Sequence, residues 1–182
     1  MAGSAQGPRS RREWGWHPLT DTHAARVVDD ARVRPGELVL DLGAGDGALT
    51  RHLVAAGARV LAVELHAGRA RALRERFSDA DVTVLEVDLA DLRLPRRPFR
   101  VVANPPFGLT STLLARLLAR GSALVAADVV VQRQAARRIA AGEGSAGRAA
   151  RRWAVDVGRP VPRAAFRPPP RVDAAVLRVR RR

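Results

Sequence analysis

The sequence predicts an α/β fold built on a mostly parallel sheet, and two observations carry this prediction. Short apolar runs alternate with helical patterns between about residues 20 and 140, and such alternation is typical of βαβ units. The runs at residues 38–40, 60–63 and 123–131 are almost continuously apolar, as expected for strands that are covered on both faces. We expect seven strands in one sheet, with an antiparallel strand at its edge.

Six strands and five helices can be placed in order. The first helix begins near Asp21, carries an apolar face that includes Val27 and Val28, and ends at the Pro-Gly pair of residues 35–36. Further helices are expected at residues 49–56, 67–77, 111–118 and 132–140. Strands are expected at residues 38–40, 60–63, 82–85, 101–102, 123–131 and 172–179, the last being the antiparallel edge strand.

The domain organisation is simple. Residues 1–14 are small, polar and basic, which predicts a flexible N-terminal arm. Residues 15–182 are long enough for a single catalytic domain with its own core. Residues 142–147 contain three glycines and are predicted to form a flexible break. Beyond the break, residues 148–182 hold eleven arginines against two aspartates.

Charge and composition exclude several classes of protein. The formal net charge is +14, and all 32 basic residues are arginine, so a polyanionic partner is expected. The chain has no cysteine, which excludes disulfides, thiolate metal ligands and a cysteine nucleophile. No apolar run is long enough to span a bilayer, and no secretory signal is present. We therefore expect a cytoplasmic protein with no membrane partner and no bound metal.

A glycine-rich loop follows the first strand, with the sequence Asp-Leu-Gly-Ala-Gly-Asp-Gly at residues 41–47. Its glycines permit positive φ and a close approach of the backbone to a ligand. Glu64, at the tip of the next strand, is placed to accept hydrogen bonds from a ribose diol, which both NAD and S-adenosylmethionine present. Asp41 and Asp46 would repel a pyrophosphate but suit the cationic groups of S-adenosylmethionine. Asp88, after the third strand, suits the amino group of the cofactor adenine.

The second motif is Asn104-Pro105-Pro106-Phe107, which follows the fourth strand. An exocyclic adenine nitrogen is a poor nucleophile, because its lone pair is delocalised into the ring. The Asn104 side-chain carbonyl and the Pro105 backbone carbonyl can accept its two hydrogens and so direct the lone pair at a methyl donor. The prolines stiffen this turn, and Phe107 offers a flat surface to an extruded base. The motif predicts N6-methylation of adenine.

Together these segments resemble the rRNA adenine-N6 methyltransferases, and most closely their erythromycin-resistance (Erm) group. Residues 166–173, Phe-Arg-Pro-Pro-Pro-Arg-Val-Asp, are similar to that group's Phe-x-Pro-x-Pro-x-Val-Asp segment. Residues 16–19, Trp-His-Pro-Leu, depart from the usual Gln-Asn/His-Phe-Leu type at the tryptophan and the proline. The resemblance covers roughly residues 15–180 and implies a Rossmann-like class I fold that uses S-adenosylmethionine.

The resemblance also implies a substrate and a set of site residues. It implies methylation of one adenine in 23S rRNA, as a large-subunit precursor or naked rRNA, and resistance to macrolide-type antibiotics. We expect a monomer and a short form without the C-terminal helical RNA-binding domain that is usual in the group. The expected cofactor residues are His17, Leu19, Gly43, Ala44, Gly45, Glu64, Leu65, Asp88, Leu89 and Asn104. The expected substrate residues are Phe107, Phe166, Arg133 and Arg137.

Four alternatives stay open at this point. A small-subunit rRNA adenine dimethyltransferase and a DNA adenine-N6 methyltransferase would share both motifs. A glutamine-N5 protein methyltransferase also uses Asn-Pro-Pro, usually followed by tyrosine, so Phe107 and the basic charge favour nucleic acid. A non-catalytic RNA-binding protein on the same fold is the fourth, and binding of S-adenosylmethionine would distinguish it from an enzyme.

Overall fold

The computed structural model describes residues 17–182, so the predicted basic arm at residues 1–14 lies outside the described residues. The strands are β1 (Leu38–Leu42), β2 (Arg59–Val63), β3 (Val82–Leu85), β4 (Phe99–Ala103), β5 (Leu124–Gln132), β6 (Trp153–Val161) and β7 (Ala174–Arg181). The helices are α1 (Asp21–Ala31), α2 (Thr50–Ala55), α3 (Ala67–Arg76), α4 (Thr110–Leu117), α5 (Arg133–Ala140) and α6 (Gly144–Ala150). Short 3-10 turns lie at Phe107–Leu109 and Arg163–Ala165.

The seven strands form one sheet in the order β3-β2-β1-β4-β5-β7-β6. The five strands β1 to β5 are parallel, and β7 runs antiparallel to both of its neighbours. This arrangement confirms the predicted mostly parallel α/β fold. Strand order reverses between β1 and β4, and in such sheets the crevice outside the carboxyl ends at the reversal is the usual ligand site. The glycine loop follows β1 and the Asn-Pro-Pro-Phe turn follows β4, so both motifs lie at this crevice.

Helices cover both faces of the sheet. Buried residues of α1, α2 and α3 pack on one face, and those of α4, α5 and α6 pack on the other. The predicted apolar face of α1 is confirmed, since Ala24, Val27, Val28 and Ala31 are all buried. None of the helices within residues 17–182 has the length and apolar character needed to cross a bilayer.

The prediction of a flexible break at residues 142–147 is wrong, because α6 occupies most of it. A Cβ atom on Gly147 would overlap the carbonyl carbon of Gly142, so this glycine permits close packing. Ala146 and Ala150 on the same helix are buried as well. The small residues allow a turn and a helix to pack closely. The sequence had suggested that the same residues form a flexible segment.

The antiparallel edge strand exists, but it is β6, which the sequence did not predict. The predicted strand at residues 172–179 is β7, and it lies inside the sheet between β5 and β6. Strand β6 contains Gly158 and Pro160, which ordinarily argue against a strand. Proline is tolerated at the outer edge because no neighbour requires its missing N–H, and the pairing with β7 shifts register between Val157 and Pro160.

Candidate active site

The glycine loop and the Asn-Pro-Pro-Phe turn are in direct contact. The backbone N–H groups of Gly43 and Ala44 donate to the Val63 carbonyl at 2.8 and 2.9 Å, which ties the loop to the end of β2. Gly43 has φ +78°, and a Cβ atom there would lie 3.3 Å from Pro106 Cδ and 3.5 Å from Pro105 Cα. Glycine at this position therefore permits both the backbone conformation and the approach of the turn.

Glu64 shapes the loop from beneath. Its Oε2 accepts from the Gly45 N–H at 2.8 Å, and its Oε1 accepts from the His66 N–H at 2.8 Å. The Arg69 guanidinium lies 3.3 Å from Oε1, and Glu64 is buried. A carboxylate has about four lone-pair sites, so these three contacts leave about one acceptor site for a ligand's hydroxyl group.

Asp41 is a buried carboxyl group under the same loop. It is 1% exposed, and its Oδ2 accepts from the Thr50 hydroxyl at 2.7 Å. The pKa of Asp41 is raised from 3.8 to about 7, chiefly by burial; the nearby charges of Glu64 and Asp46 add to this shift, and the hydrogen bonds from Thr50 oppose it. Thr50 was missed by the sequence analysis, although a hydroxyl at the start of the helix after the loop is a recognisable signal.

Asn104 is anchored by its own amide nitrogen. Its Nδ2 donates to the His17 carbonyl at 2.9 Å, so the amide plane is fixed and Oδ1 points away from that anchor. No residue between 17 and 182 donates a hydrogen bond to Asn104 Oδ1 or to the Pro105 carbonyl. The turn thus carries two adjacent oxygen acceptors with no partner from the described chain.

The Phe107 ring is held by two other rings. The His17 ring lies 6.2 Å away at an interplanar angle of 28°, and Phe166 meets Phe107 edge-on at 6.2 Å and 85°. The His17 ring is itself fixed by a 2.9 Å hydrogen bond between Nδ1 and the Pro168 carbonyl. Phe107 is half-buried, whereas Phe166 is 2% exposed, so Phe166 supports Phe107 from within the core.

Two segments far apart in sequence form one wall of the site. Leu19 pairs with Phe166 in an isolated antiparallel bridge. Backbone hydrogen bonds flank this bridge, from the Thr20 N–H to the Ala165 carbonyl at 2.8 Å and from the Arg167 N–H to the Pro18 carbonyl at 3.0 Å. This wall, residues 17–20 with residues 165–168, is called the closing wall below. It positions Leu19 beside the glycine loop and His17 beside the Asn-Pro-Pro-Phe turn, despite the altered sequence around them.

A small cavity brings four of the ten predicted cofactor residues together, namely Leu19, Gly43, Ala44 and Asn104. It is lined by Pro18, Leu19, Asp41, Gly43, Ala44, Asp46, Ala48, Leu49 and Asn104. Leu65 is 40% exposed at the end of β2, and Leu89 is buried after β3. Asp88 accepts from the Ala90 N–H at 2.8 Å through Oδ1, which forms a local turn. All three therefore stand at the carboxyl edge of the sheet, where the loop lies.

The predicted substrate arginines lie beside a second cavity at the same edge. A cavity of about 380 Å³ is lined by Gln132, Arg133, Gln134, Arg137, Val172 and Asp173. Gln132 is the last residue of β5, the strand next to β4, so the cavity neighbours the turn that carries Asn104. Both arginines are exposed, and their contact with substrate stays a prediction.

The family description "Ribosomal RNA adenine dimethylase" matches residues 8–182. The chain belongs to the ribosomal RNA adenine dimethylase family. Family membership and fold together make it an rRNA adenine-N6 methyltransferase, with S-adenosylmethionine as the cofactor.

Named relatives of this adenine dimethylase family member fall into two groups. A protein named rRNA adenine N-6-methyltransferase from Corynebacterium diphtheriae is 35% identical and is matched over 98% of this chain and 71% of its own length. A protein named ribosomal RNA small subunit methyltransferase A from Thermosynechococcus vestitus is also 35% identical, over 94% of this chain and 70% of its own length. The crystal structure of the 23S rRNA methyltransferase ErmE is 32% identical with a TM-score of 0.80, covering 90% of this chain and 69% of that one.

The site of this family member fits S-adenosylmethionine on chemical grounds. Gly43 and Gly45 have φ of +78° and +60°, so the loop presents backbone without side chains at these two points. Asp41 and Asp46 place carboxyl groups beside the loop, which suits the ammonium and sulfonium groups of this cofactor. Glu64 retains about one acceptor site for a hydroxyl of the ribose diol. Direct contacts to the cofactor stay a prediction for every one of these residues.

Proposed function

We propose that this methyltransferase modifies the N6 atom of one adenine in 23S rRNA and thereby confers resistance to macrolide-type antibiotics. The observation that carries the proposal is the anchored Asn104, whose free carbonyl oxygen stands beside the glycine loop. The likeness to the 23S rRNA methyltransferase ErmE supports the choice of 23S rRNA, and the name of the Corynebacterium diphtheriae relative supports an rRNA adenine N6 target. The proposed substrate implies a cytoplasmic protein, and we expect it to act as a monomer.

The turn acts by presenting the amine. Asn104 Oδ1 and the Pro105 carbonyl each accept one hydrogen of the adenine amino group, which draws the nitrogen toward sp³ geometry and frees its lone pair. When bound, S-adenosylmethionine supplies an electrophilic methyl group. The chain needs no strong base, since the proton can leave the nitrogen after transfer. The rate gain comes from positioning of the amine. The hydrogen bond from Asn104 to the His17 carbonyl restricts the Asn104 side chain, and this restriction preserves the positioning.

Phe107 gives the extruded adenine a surface to stack on. His17 and Phe166 restrict the ring from two sides, so it does not have to be ordered when the base arrives. Arg133 and Arg137 then hold the phosphates that flank the target nucleotide, through the cavity next to the turn. Phe166 lies on the core side of Phe107. The adenine could contact Phe166 directly only if the base entered on that side of the Phe107 ring.

A small-subunit rRNA adenine is the second candidate, favoured by the names of relatives such as the Thermosynechococcus vestitus protein. Membership in an rRNA adenine dimethylase family favours RNA over the DNA and glutamine alternatives. It also favours an enzyme over a non-catalytic protein.

Expression in a macrolide-sensitive bacterium tests the proposal. Primer extension across 23S and 16S rRNA should show one new stop at a 23S adenine, together with growth at macrolide concentrations that inhibit the parent strain. An Asn104→Ala strain is the matched control and should show neither. A new modification confined to 16S rRNA would favour the second candidate, and no modification in either rRNA would contradict both.

A further inference from the structure

Five arginines meet at the edge of the sheet that lies opposite the active site. Arg120 lies in the turn before β5, Arg151 and Arg152 precede β6, and Arg181 and Arg182 lie at the end of β7. Because β7 is antiparallel to β5 and β6, these three places come together at one edge. All five side chains are exposed, and none forms an ion pair with a carboxylate of residues 17–182. We call this group the far-edge arginine cluster.

The cluster is ordered by contacts that leave its charge uncompensated. Arg181 donates to the carbonyls of Ser122 and Leu124, each at 3.1 Å, and its guanidinium lies 5.7 Å from the centre of the Trp153 ring. These contacts join the turn of Arg120 to the end of β7. Arg151 and Arg182 line one recess with Trp153. The partners are carbonyls and an aromatic ring, so the full positive charge faces solvent.

One acidic side chain, Glu143, adjoins this part of the described chain next to Gly142 of the recess, and it is paired with Arg138. Residues 118–125, 148–155 and 178–182 contain no Asp or Glu. The nearest acids in β5 and β6 are Asp128, which is buried against Arg180, and Asp156, which pairs in register with Arg178. Farther along the same edge, Arg59 is paired with Asp81 and Arg100 with Glu37, whereas Arg97 adds a further positive charge. The net field at the cluster is therefore strongly positive.

We infer that the far-edge arginine cluster binds the phosphate backbone of a second RNA segment, distinct from the segment that carries the target adenine. The inference rests on the proposed function for its choice of RNA among polyanions. Guanidinium groups match phosphate oxygens in pairs, and several of them on one surface make affinity depend steeply on salt. An anionic membrane is less suited, because Val125 is the one large apolar side chain exposed near these turns in the described chain.

The length of β5 separates the two surfaces. Leu124 begins β5 near the cluster and Gln132 ends it near the active site, so the two edges lie roughly 26 Å apart at 3.3 Å per residue. An RNA must extend across that distance to touch both. A short hairpin that carries only the target adenine and its nearest neighbours reaches the active site alone.

A double variant and a matched control test the inference. Arg120→Gln with Arg152→Gln removes two charges from the cluster. Arg71→Gln with Arg74→Gln removes two charges from α3, where both side chains are exposed and lie near Glu75 and Glu86. Binding of a long rRNA fragment is measured over a range of salt concentrations. Methylation of the short hairpin is measured at saturating RNA and cofactor.

The cluster variant should bind the long RNA about tenfold more weakly at 0.15 M salt, with a salt slope smaller by roughly 0.7 to 0.9 for each lost phosphate contact. Its rate on the short hairpin should equal that of the wild type, and the control variant should match the wild type on both RNAs. Equal binding by the two variants would overturn the inference. So would an equal loss on long and short RNA in the cluster variant.

Two further outcomes have separate meanings. If the cluster variant loses binding to vesicles of phosphatidylserine and phosphatidylcholine while its RNA binding is unchanged, the surface is a membrane contact and the inference is wrong. If the wild type binds the long RNA through the cluster but methylates neither RNA, the proposed function fails and the binding result stands. Circular dichroism and melting temperature confirm that both variants fold.

Discussion

The Asn104 side chain donates a hydrogen bond through Nδ2, and its Oδ1 is free to accept another. Because the anchor is the backbone carbonyl of His17, it does not depend on which side chain occupies position 17. The proline at position 18 therefore leaves this anchor in place. The His17 ring has a separate task, since it contacts Phe107 and bonds to the Pro168 carbonyl.

Asn104→Ala should abolish methyl transfer while leaving the cofactor bound. The substitution removes one of two amine acceptors, and we expect the single-turnover rate to fall at least ~100-fold, since precise positioning of the amine supplies much of the rate. Calorimetry with S-adenosylmethionine should give a dissociation constant within about threefold of the wild type, because the glycine loop and Glu64 are untouched. Near-normal turnover in this variant would rule out the proposed role of the side chain.

Asp41 should make stability depend on pH. Its pKa is raised on folding from 3.8 to about 7, so it favours the folded state most below pH 3.8, and that contribution is lost as the pH rises to about 7. In Asp41→Asn the amide oxygen can still accept from Thr50, but nothing titrates. Between pH 5 and pH 8 the free energy of unfolding of the wild type should fall by about 3 kcal/mol relative to this variant.

Urea unfolding at pH 5, 6, 7 and 8 measures the difference between wild type and Asp41→Asn. Asp46→Asn is the control, because Asp46 is exposed on the same loop. Parallel curves for the wild type and Asp41→Asn would show that Asp41 does not titrate in this range.

At the scale of elements, the contact between the glycine loop and the proline turn gives a matched pair of variants. Gly43 and Gly36 have nearly the same φ, +78° and +79°, so alanine at either position carries a similar backbone strain of about 1 kcal/mol. A Cβ atom at Gly43 would press on Pro105 and Pro106, whereas one at Gly36 would meet nothing within 4 Å. Backbone strain should lower the folding stability of both variants by a similar amount, but Gly43→Ala alone should also displace the turn.

Methylation assays and calorimetry separate the two effects. We expect Gly43→Ala to lose at least ~10-fold in turnover and to bind S-adenosylmethionine more weakly, because Pro106 must move to relieve a 3.3 Å contact and catalysis depends on precise positioning of the turn. Gly36→Ala should keep wild-type turnover at a temperature where both are folded. Equal turnover in the two variants would show that the turn tolerates the displacement.

Most of the elements could be predicted because their apolar periodicity is strong. The strand predicted at residues 82–85 has the observed bounds of β3, and the helices at residues 67–77 and 111–118 are within a residue or so. Strand β6 and helix α6 could not be predicted, because Gly158 and Pro160 interrupt one and glycines begin the other. Their stability comes from neighbours, namely the pairing with β7 and the packing of Ala146 on the core, which a local pattern does not contain.

Part of the site could be predicted for a similar reason. The loop and the turn are contiguous motifs, and parallel strands bring them to one edge. The closing wall could not be predicted from spacing, since Leu19 and Phe166 pair across most of the chain. No sequence pattern indicates the hydrogen bond from Asn104 to a backbone carbonyl, because any residue at position 17 supplies that carbonyl.

At the scale of the whole molecule, the excess arginines are distributed over two edges of the sheet, and we expect the protein to bind RNA in preference to duplex DNA. Arg133 and Arg137 stand at the active-site edge, and the far-edge arginine cluster stands at the other. In a competition assay, an unlabelled rRNA fragment should inhibit methylation of labelled rRNA at least ~10-fold better than duplex DNA of equal length at 0.15 M salt, because single-stranded loops expose unstacked bases. Equal competition by duplex DNA would favour a DNA adenine-N6 methyltransferase instead.

The closing wall also has a consequence for when the enzyme becomes active during synthesis. A chain leaves the ribosome from its N-terminus, so the glycine loop and the Asn-Pro-Pro-Phe turn are available well before Phe166 and Pro168 are made. Residues 17–20 must wait for partners about 150 positions later before they can order Phe107. A nascent chain that has reached only β5 carries the loop and the turn without their wall, so this methyltransferase can complete its substrate site only after residues 165–168 have been made.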